Sequence, residues 1–257
     1  WEEDSNQLIA TGVIQSDPPG SAIDYQRFVQ FNYTNSEEFA NGTVSSLEFA
    51  TTGRSSVHFW KMELDGTCTS YSPPTSSKVS SSDGKHNKHF TQTVFIPKST
   101  QAVSGTADGN LVVWDISLIM EEMSQPDQKR EIKIINLMNQ SGRNQNETAG
   151  ISLLKASEVL LIVGATNGNV RFYDYQFRIV GWFEEETGLQ EVTSISLSNV
   201  KFEYDNVLND LNKDEYDFKY PDFIVGDKKA KIIMLNTDLF KGVTDTSKKK
   251  EVLVQSI

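Results

Sequence analysis

The segment from Gln101 to Ser117, QAVSGTADGNLVVWDIS, limits the fold of this chain more than any other segment. It contains two short apolar runs, 101–106 and 111–116, joined by four polar or small residues. The joining residues include the pair Asp108-Gly109, which tight hairpins prefer because glycine tolerates a positive φ. The segment therefore predicts a β-hairpin, and it is the strongest local signal for an all-β fold.

Similar strand and turn signals recur along the chain, as expected of a repeated structural unit. The residues from Asn167 to Tyr173 copy the spacing from Asp108 to Trp114. The predicted units cover residues 27–64, 90–137, 151–183 and 192–235, with 1–14 as the outer strand of a preceding unit and 236–257 as an outer strand or the start of the next unit.

The ending Val112-Val113-Trp114-Asp115, which follows a strand of small residues and a turn aspartate, resembles the inner strands of a WD40 repeat. The resemblance implies an all-β WD40 β-propeller with about four to five blades of four antiparallel strands. A closed propeller typically needs more blades, so we expect part of a larger propeller with long inserted loops.

The WD40 resemblance also implies a hydrogen-bonded structural tetrad in the second unit. Its members would be Trp114, Ser104 on the preceding strand, Asp108 in the turn, and His86 in the incoming loop, with His89 as the alternative histidine. Such polar groups satisfy one another where each alone would be costly to bury. The alternative interpretation is a solvated histidine in a polar loop and an ordinary core tryptophan.

The composition excludes several functional classes. A formal net charge of -11 argues against a nucleic-acid partner, because phosphate contacts need clustered lysine and arginine. The single cysteine, Cys68, excludes an internal disulfide and a cysteine-based zinc site, and it favours a reducing, intracellular compartment. No apolar span of membrane length is present, so we expect no membrane partner.

The sequence contains no group of residues that predicts catalysis. The three histidines, His58, His86 and His89, lack the spacing of metal ligands. No nucleophile elbow, zinc-protease motif or phosphate-binding loop is present. We therefore expect a protein that is not an enzyme and that binds no cofactor and no metal.

Two polar segments are predicted to be surface loops, the serine-rich residues 69–88 and the acidic insertion 202–222. The insertion mixes carboxylates with aromatic side chains, and such side chains often anchor interfaces or meet a basic partner. A solvated loop with a few packed aromatic residues is the alternative. The candidate partner-binding residues are Tyr216, Phe218, Tyr220, Asp214 and Glu215.

Two longer segments, TADGNLVVWDI from Thr106 and VGATNGNVRFYD from Val163, resemble WD-repeat proteins of motile cilia and flagella. The resemblance implies a scaffold subunit of the ciliary axoneme, which anchors a radial spoke base to the doublet microtubule within the calmodulin- and spoke-associated complex. The implied partners are the other spoke-base proteins, the radial spoke and the doublet microtubule, and calmodulin is left open as a further partner. The alternatives are a tubulin-binding microtubule-associated WD-repeat protein and a generic WD40 adaptor for peptides.

Overall fold

The computed structural model describes residues 24–73, 89–117, 131–137, 149–183, 188–198, 222–235 and 255–256. Within these residues the chain forms one helix and sixteen strands, numbered here in chain order. The helix is α1 (Tyr33–Ala40), and the strands are β1 (Phe28–Phe31), β2 (Ser46–Thr52), β3 (Val57–Glu63), β4 (Cys68–Tyr71), β5 (Phe90–Phe95), β6 (Gln101–Thr106), β7 (Asn110–Asp115), β8 (Glu131–Asn136), β9 (Ile151–Ala156), β10 (Leu161–Ala165), β11 (Val170–Tyr173), β12 (Ile179–Phe183), β13 (Val192–Leu197), β14 (Phe223–Asp227), β15 (Ile232–Leu235) and β16 (Gln255–Ser256).

The strands form four antiparallel sheets of four strands each, in which strands pair in chain order. We call these sheets blade 1 (β1 to β4), blade 2 (β5 to β8), blade 3 (β9 to β12) and blade 4 (β13 to β16). The first strands of neighbouring blades contact one another in sequence, β1 with β5, β5 with β9, and β9 with β13. The described residues thus form consecutive blades of a propeller, and the predicted all-β propeller class is confirmed.

The structure departs from the sequence interpretation in blade 1. Strand β4 begins at Cys68 and includes residues that their serine-rich composition had assigned to a loop. It forms because Phe59 and Met62 of β3 pair with Tyr71 and Cys68. Helix α1, which sequence patterning did not predict, occupies the link between β1 and β2.

The last strand, β16, pairs with β15 and completes blade 4, with Met234 opposite Gln255. The sequence had left this part of 236–257 open between an outer strand and the start of another unit. The predicted outer strand at 1–14 lies outside the described residues, as do residues 236–254.

The apolar core lies between the blades, because each sheet packs one face on the next. Aromatic rings fill two of the interfaces, with Phe59 of blade 1 and Trp114 of blade 2 at 6.2 Å and Phe172 of blade 3 and Phe223 of blade 4 at 5.3 Å. Between blades 2 and 3 the cluster is aliphatic and includes Leu111 and Ile151. A strand that is covered on both faces has apolar residues at consecutive positions, which explains the sequence LVVW in β7.

The two ends of the blades differ. The end of each blade that carries the turn between its second and third strands is called the upper end. These turns are 53–56, 107–109, 166–169 and 228–231. The lower end carries the links between first and second strands, 32–45, 96–100, 157–160 and 198–222. At the upper end, the first turn residue of blades 2, 3 and 4 donates its backbone N–H to the loop entering the same blade. These bonds join Ala107 to His89, Thr166 to Gly150, and Lys228 to Glu191.

Neighbouring blades approach so closely at the upper end that glycine is required. A Cβ atom on Gly150, before blade 3, would lie 2.3 Å from the carbonyl oxygen of Ala107 in blade 2. A Cβ atom on Gly168 would lie 2.1 Å from the carbonyl oxygen of Leu189, and this glycine also has a φ of +89°. In both places one blade packs its turn against the backbone that enters the next.

We expect Gly150→Ala to lower the stability by about 1 to 3 kcal/mol, because the facing group is a backbone carbonyl that cannot rotate away. The matched control is Gly226→Ala, whose Cβ would first meet the Ser194 hydroxyl oxygen at 2.7 Å, a side chain that can move. The measurement is the melting temperature of each purified full-length variant. Equal losses in the two variants would contradict the predicted backbone contact.

Candidate functional site

A chain of buried side-chain hydrogen bonds joins blade 1 to blade 2. The indole Nε1 of Trp114 donates to Ser104 Oγ at 2.8 Å, and Ser104 Oγ lies 2.7 Å from Thr93 Oγ1. Thr52 of blade 1 donates its hydroxyl to Thr93 Oγ1, also at 2.7 Å. All four side chains are fully buried. The network therefore satisfies polar groups that would each be costly to bury alone, and it does so across the interface.

The structure brings together two of the four residues of the proposed tetrad, Trp114 and Ser104. Asp108 instead accepts a hydrogen bond from the hydroxyl of Thr106, the last residue of β6. His86 lies outside the described residues. The alternative histidine, His89, accepts the backbone N–H of Ala107 through its carbonyl oxygen. Burial lowers the pKa of the His89 imidazole, and the nearby charge of Arg54 lowers it further.

Sequence reasoning missed the two threonines of this network, Thr52 and Thr93. Both lie on strands whose neighbouring residues are largely buried, so a hydroxyl there needs a partner. The available signal was a threonine at an inward position of each strand. It could not reveal that the partners lie in different blades.

A second indole in blade 1 repeats the motif on the opposite face. Trp60 Nε1 donates to Thr51 Oγ1 at 2.9 Å, and Phe49 stacks on Trp60 with ring centroids 5.7 Å apart. Phe31 follows at 5.6 Å from Phe49, so three aromatic rings cross this face. Val29 on the same face is 61% exposed, and Phe31 is also exposed.

The outward face of blade 4 is apolar as well. Ile224 pairs with Met234, and Ile232 lies one position along on the same face. All three side chains are exposed, whereas their neighbours Phe223 and Ile233 are buried against blade 3. Contiguous exposed apolar residues commonly mark interaction surfaces.

Carboxylates hold the upper end of blades 1 and 4 in opposite ways. In blade 1, Asp24 in the entering segment accepts the backbone N–H groups of turn residues 54–56, at 2.7 to 3.0 Å. In blade 4, the carboxylate comes from the last residue of β14, where Asp227 accepts the backbone N–H groups of Gln190 in the entering segment at 2.9 Å and of Lys229 in the turn at 2.8 Å. Each carboxylate therefore ties the entering segment to the turn of its blade.

These hydrogen bonds favour the ionised carboxylates. Burial works against ionisation of Asp24, but the backbone N–H groups of Ser55 and Arg54 and the Ser56 hydroxyl lower its pKa below the usual 3.8. The pKa of Asp227 is lowered mainly by the backbone N–H of Gln190.

The candidate partner-binding residues of the acidic insertion, 214–220, lie outside the described residues.

The described ranges contain no group of three or more histidine, cysteine, aspartate or glutamate side chains placed to hold a metal ion. In the same ranges, no helix is long and apolar enough to cross a membrane.

We expect Trp114→Ala to lower the stability by about 3 to 5 kcal/mol, because it opens a cavity and orphans buried hydroxyls. Trp114→Phe keeps most of the ring but removes the N–H, so its cost should be smaller, about 1 to 3 kcal/mol. Denaturant unfolding of the full-length protein, followed by fluorescence, gives both values. A loss under about 1 kcal/mol for the alanine variant would rule out the buried network as a stabilising element.

The lowered pKa of Asp24 predicts a loss of stability in acid. An unfolded chain binds a proton more readily than the folded one, so this contribution is complete above the unfolded pKa and is lost as the pH falls through the folded pKa. We expect Asp24→Asn to melt at a lower temperature than the parent at neutral pH. That difference should shrink as the pH drops below about 5. A difference that stays constant down to acid pH would contradict the assignment.

The chain matches the CFAP251 N-terminal domain family over residues 1–240. It is 38% identical to cilia- and flagella-associated protein 251 of Tetrahymena thermophila, in an alignment that covers 100% of this chain and 25% of the relative. The protein of the same name from Chlamydomonas reinhardtii is 31% identical, with 86% of this chain and 24% of the relative covered. The chain thus spans about a quarter of the length of these curated relatives.

Two solved structures are similar at low sequence identity. The WD40 β-propeller domain of Doa1 has a TM-score of 0.45 at 12% identity, covering 82% of this chain and 50% of that one. A chain of the mitotic checkpoint complex has a TM-score of 0.48 at 11% identity, covering 90% and 50%. Because the family match extends over nearly the whole sequence, the chain belongs to the CFAP251 N-terminal domain family, whose matched relatives are cilia- and flagella-associated proteins.

Proposed function

We propose that this chain is a non-enzymatic docking domain of the motile cilium, which helps to anchor the base of a radial spoke to the doublet microtubule. The proposed assembly is the calmodulin- and spoke-associated complex, and the proposed location is the axoneme. The observation that carries the proposal is the family match over residues 1–240, together with relatives named as cilia- and flagella-associated proteins.

The structure supports a docking role through a tightly joined scaffold. The exposed apolar residues on the outward faces of blades 1 and 4, such as Phe31 and Ile224, lie where adjoining blades of a larger propeller would pack. Behind these faces the blades are locked together by buried rings and hydroxyl groups. A scaffold of this kind can present partners with a surface that needs little ordering on binding, which lowers the entropic cost of association.

The test is to delete the gene for the full-length protein in a ciliated cell and to restore it with a tagged copy. Cryo-electron tomography of axonemes should show density missing at the base of a radial spoke after deletion and regained, with the tag, after rescue. Intact spoke bases in the deleted strain would overturn the proposal. Co-sedimentation of the purified protein with bare microtubules separates the tubulin-binding alternative, which predicts binding without any spoke-base protein.

The acidic insertion is proposed as one docking element, on its composition alone. We expect replacement of Tyr216, Phe218 and Tyr220 with alanine to release spoke-base proteins more than Asp214→Asn with Glu215→Gln does, because buried aromatic anchors usually outweigh rim charges. The measurement is co-immunoprecipitation from ciliary extracts at matched expression.

The control is Tyr25→Ala, which removes an exposed aromatic residue outside the insertion. It should leave the precipitated proteins unchanged, and all variants should melt at the parent temperature. Recovery of the same partners with every variant would exclude the insertion as a docking element. Any part that the carboxylates contribute should weaken with added salt, which screens exposed charges.

A further inference from the structure

A pocket of about 210 Å³ opens at the lower end of blades 1 to 4, near the axis shared by their first strands. Its walls include Val94 of β5, Leu154 of β9 and Ile195 of β13, all of which are buried. Pockets for whole small molecules are usually larger, about 300 to 1,000 Å³. The volume is better matched to side chains inserted by a partner protein.

One wall of the pocket is built by the first turn of α1, a helix in the link between β1 and β2. Asn35 fixes this helix to β2, since its Nδ2 donates to the Ser46 carbonyl at 3.2 Å and its Oδ1 accepts the Glu48 N–H at 2.7 Å. Thr34 Oγ1 accepts the backbone N–H of Lys98 from blade 2 at 3.0 Å. The helix is therefore held by both blades, as the wall of a defined binding site requires.

This anchored turn presents Tyr33 at the pocket with 68% of its surface exposed. Its neighbours Asn32 and Asn35 are buried and hydrogen-bonded, so the exposure of the ring is not a consequence of a loosely held segment. Tyrosine is enriched among the residues that contribute most to binding, because its ring is large and rigid and its hydroxyl can hydrogen-bond.

The charge of the pocket indicates the partner. Lys155 is the one charged residue among the described residues that line it. Its Nζ donates to the Ile195 carbonyl at 3.3 Å, a long bond that uses one of three N–H donors. The first turn of α1 itself contains no acidic residue, but the Glu48 carboxylate of β2 lies beside it and accepts a hydrogen bond from the Asn32 amide at 2.9 Å. Lys155 is therefore the feature of the pocket that favours a carboxylate.

The surroundings limit how acidic that partner can be. Glu37 and Glu38 lie exposed on the later part of α1, and Glu158 lies exposed in the turn after β9. These exposed carboxylates would repel a polyacidic segment, so the partner segment should carry a single carboxylate. The apolar lining requires an apolar side chain next to that carboxylate.

We propose that this lower-end pocket binds a peptide segment of a partner protein, with a single aspartate or glutamate at Lys155 and an adjacent apolar side chain on the wall of Val94 and Ile195. This pocket would give the proposed docking domain a partner of defined chemistry. It rests on the proposed function only in that the partner is expected at the base of a radial spoke.

The first test selects random peptides displayed on phage against the purified full-length protein and its Lys155→Glu variant. The parent should enrich an isolated acidic residue flanked by apolar residues, and Lys155→Glu should enrich lysine or arginine in its place. The matched control is Lys133→Glu, an exposed charge reversal on β8 that should select the same peptides as the parent. Absence of enrichment, or the same peptides from parent and Lys155→Glu, overturns the proposal, as does an equal shift with Lys133→Glu.

A second test does not depend on reversing a half-buried charge. Tyr33→Ala removes a mostly exposed side chain, so the variant should fold as the parent does, and we expect it to bind the selected peptide roughly tenfold more weakly by fluorescence anisotropy. Unchanged affinity overturns the proposal.

If Tyr33→Ala loses the peptide while the tagged protein stays at the spoke base, the pocket stands and other surfaces anchor the protein. If the parent binds the peptide but is absent from the spoke base, the proposed function fails and the pocket stands.

Discussion

The interface between blades 1 and 2 is organised by the need to satisfy the buried polar groups of Trp114 and Ser104, whose side chains are hydrogen-bonded to each other. A fully buried N–H and hydroxyl must find partners within the protein, because an unpaired polar group in an apolar interior costs as much as a lost hydrogen bond or more. Thr93 and Thr52 provide those partners, and the second of them belongs to the neighbouring blade. The hydrogen bonds that satisfy these polar groups therefore also join the two blades, in addition to the packing of Phe59 on Trp114.

At the upper end of each blade, the entering loop is tied to the turn between the second and third strands, and the blades use different groups to do this. Blades 2, 3 and 4 use a turn N–H bonded to the carbonyl of the entering loop, and blade 4 adds the Asp227 carboxylate. Blade 1 keeps the turn as donor but replaces the carbonyl with a carboxylate, since Asp24 of the entering segment accepts three N–H groups of the turn. The fold constrains the distance between entering loop and turn more than the identity of the linking residue. This explains how one architecture persists over divergent repeats.

The sequence predicted the strands well where alternation and turn chemistry agree, as in β6 and β7 around Asp108-Gly109. It failed where the deciding contact comes from another element. Residues 68–71 are polar, yet they form β4 because β3 offers an unpaired edge. Helix α1 has weak amphipathic character and depends on the hydrogen bonds of Asn35 to β2, which no local pattern reveals. For the tetrad, the strand positions of Trp114 and Ser104 could be read from spacing, whereas Thr93 and Thr52 required knowledge of which blades adjoin.

The turns at the upper end leave less room for change than the links at the lower end. At the upper end, backbone groups of the turns are engaged by the entering loops and carboxylates, and glycines such as Gly150 allow contacts with no room for a side chain. Long links occur at both ends, at the lower end in the segments 32–45 and 198–222 and at the upper end between β4 and β5. Insertions cost little loop entropy when their ends are already held together, as Ser198 and Asp222 are by a backbone bond of 2.7 Å. Variation in partner contacts can accumulate in the lower-end links without disturbing the hydrogen bonds of the upper end.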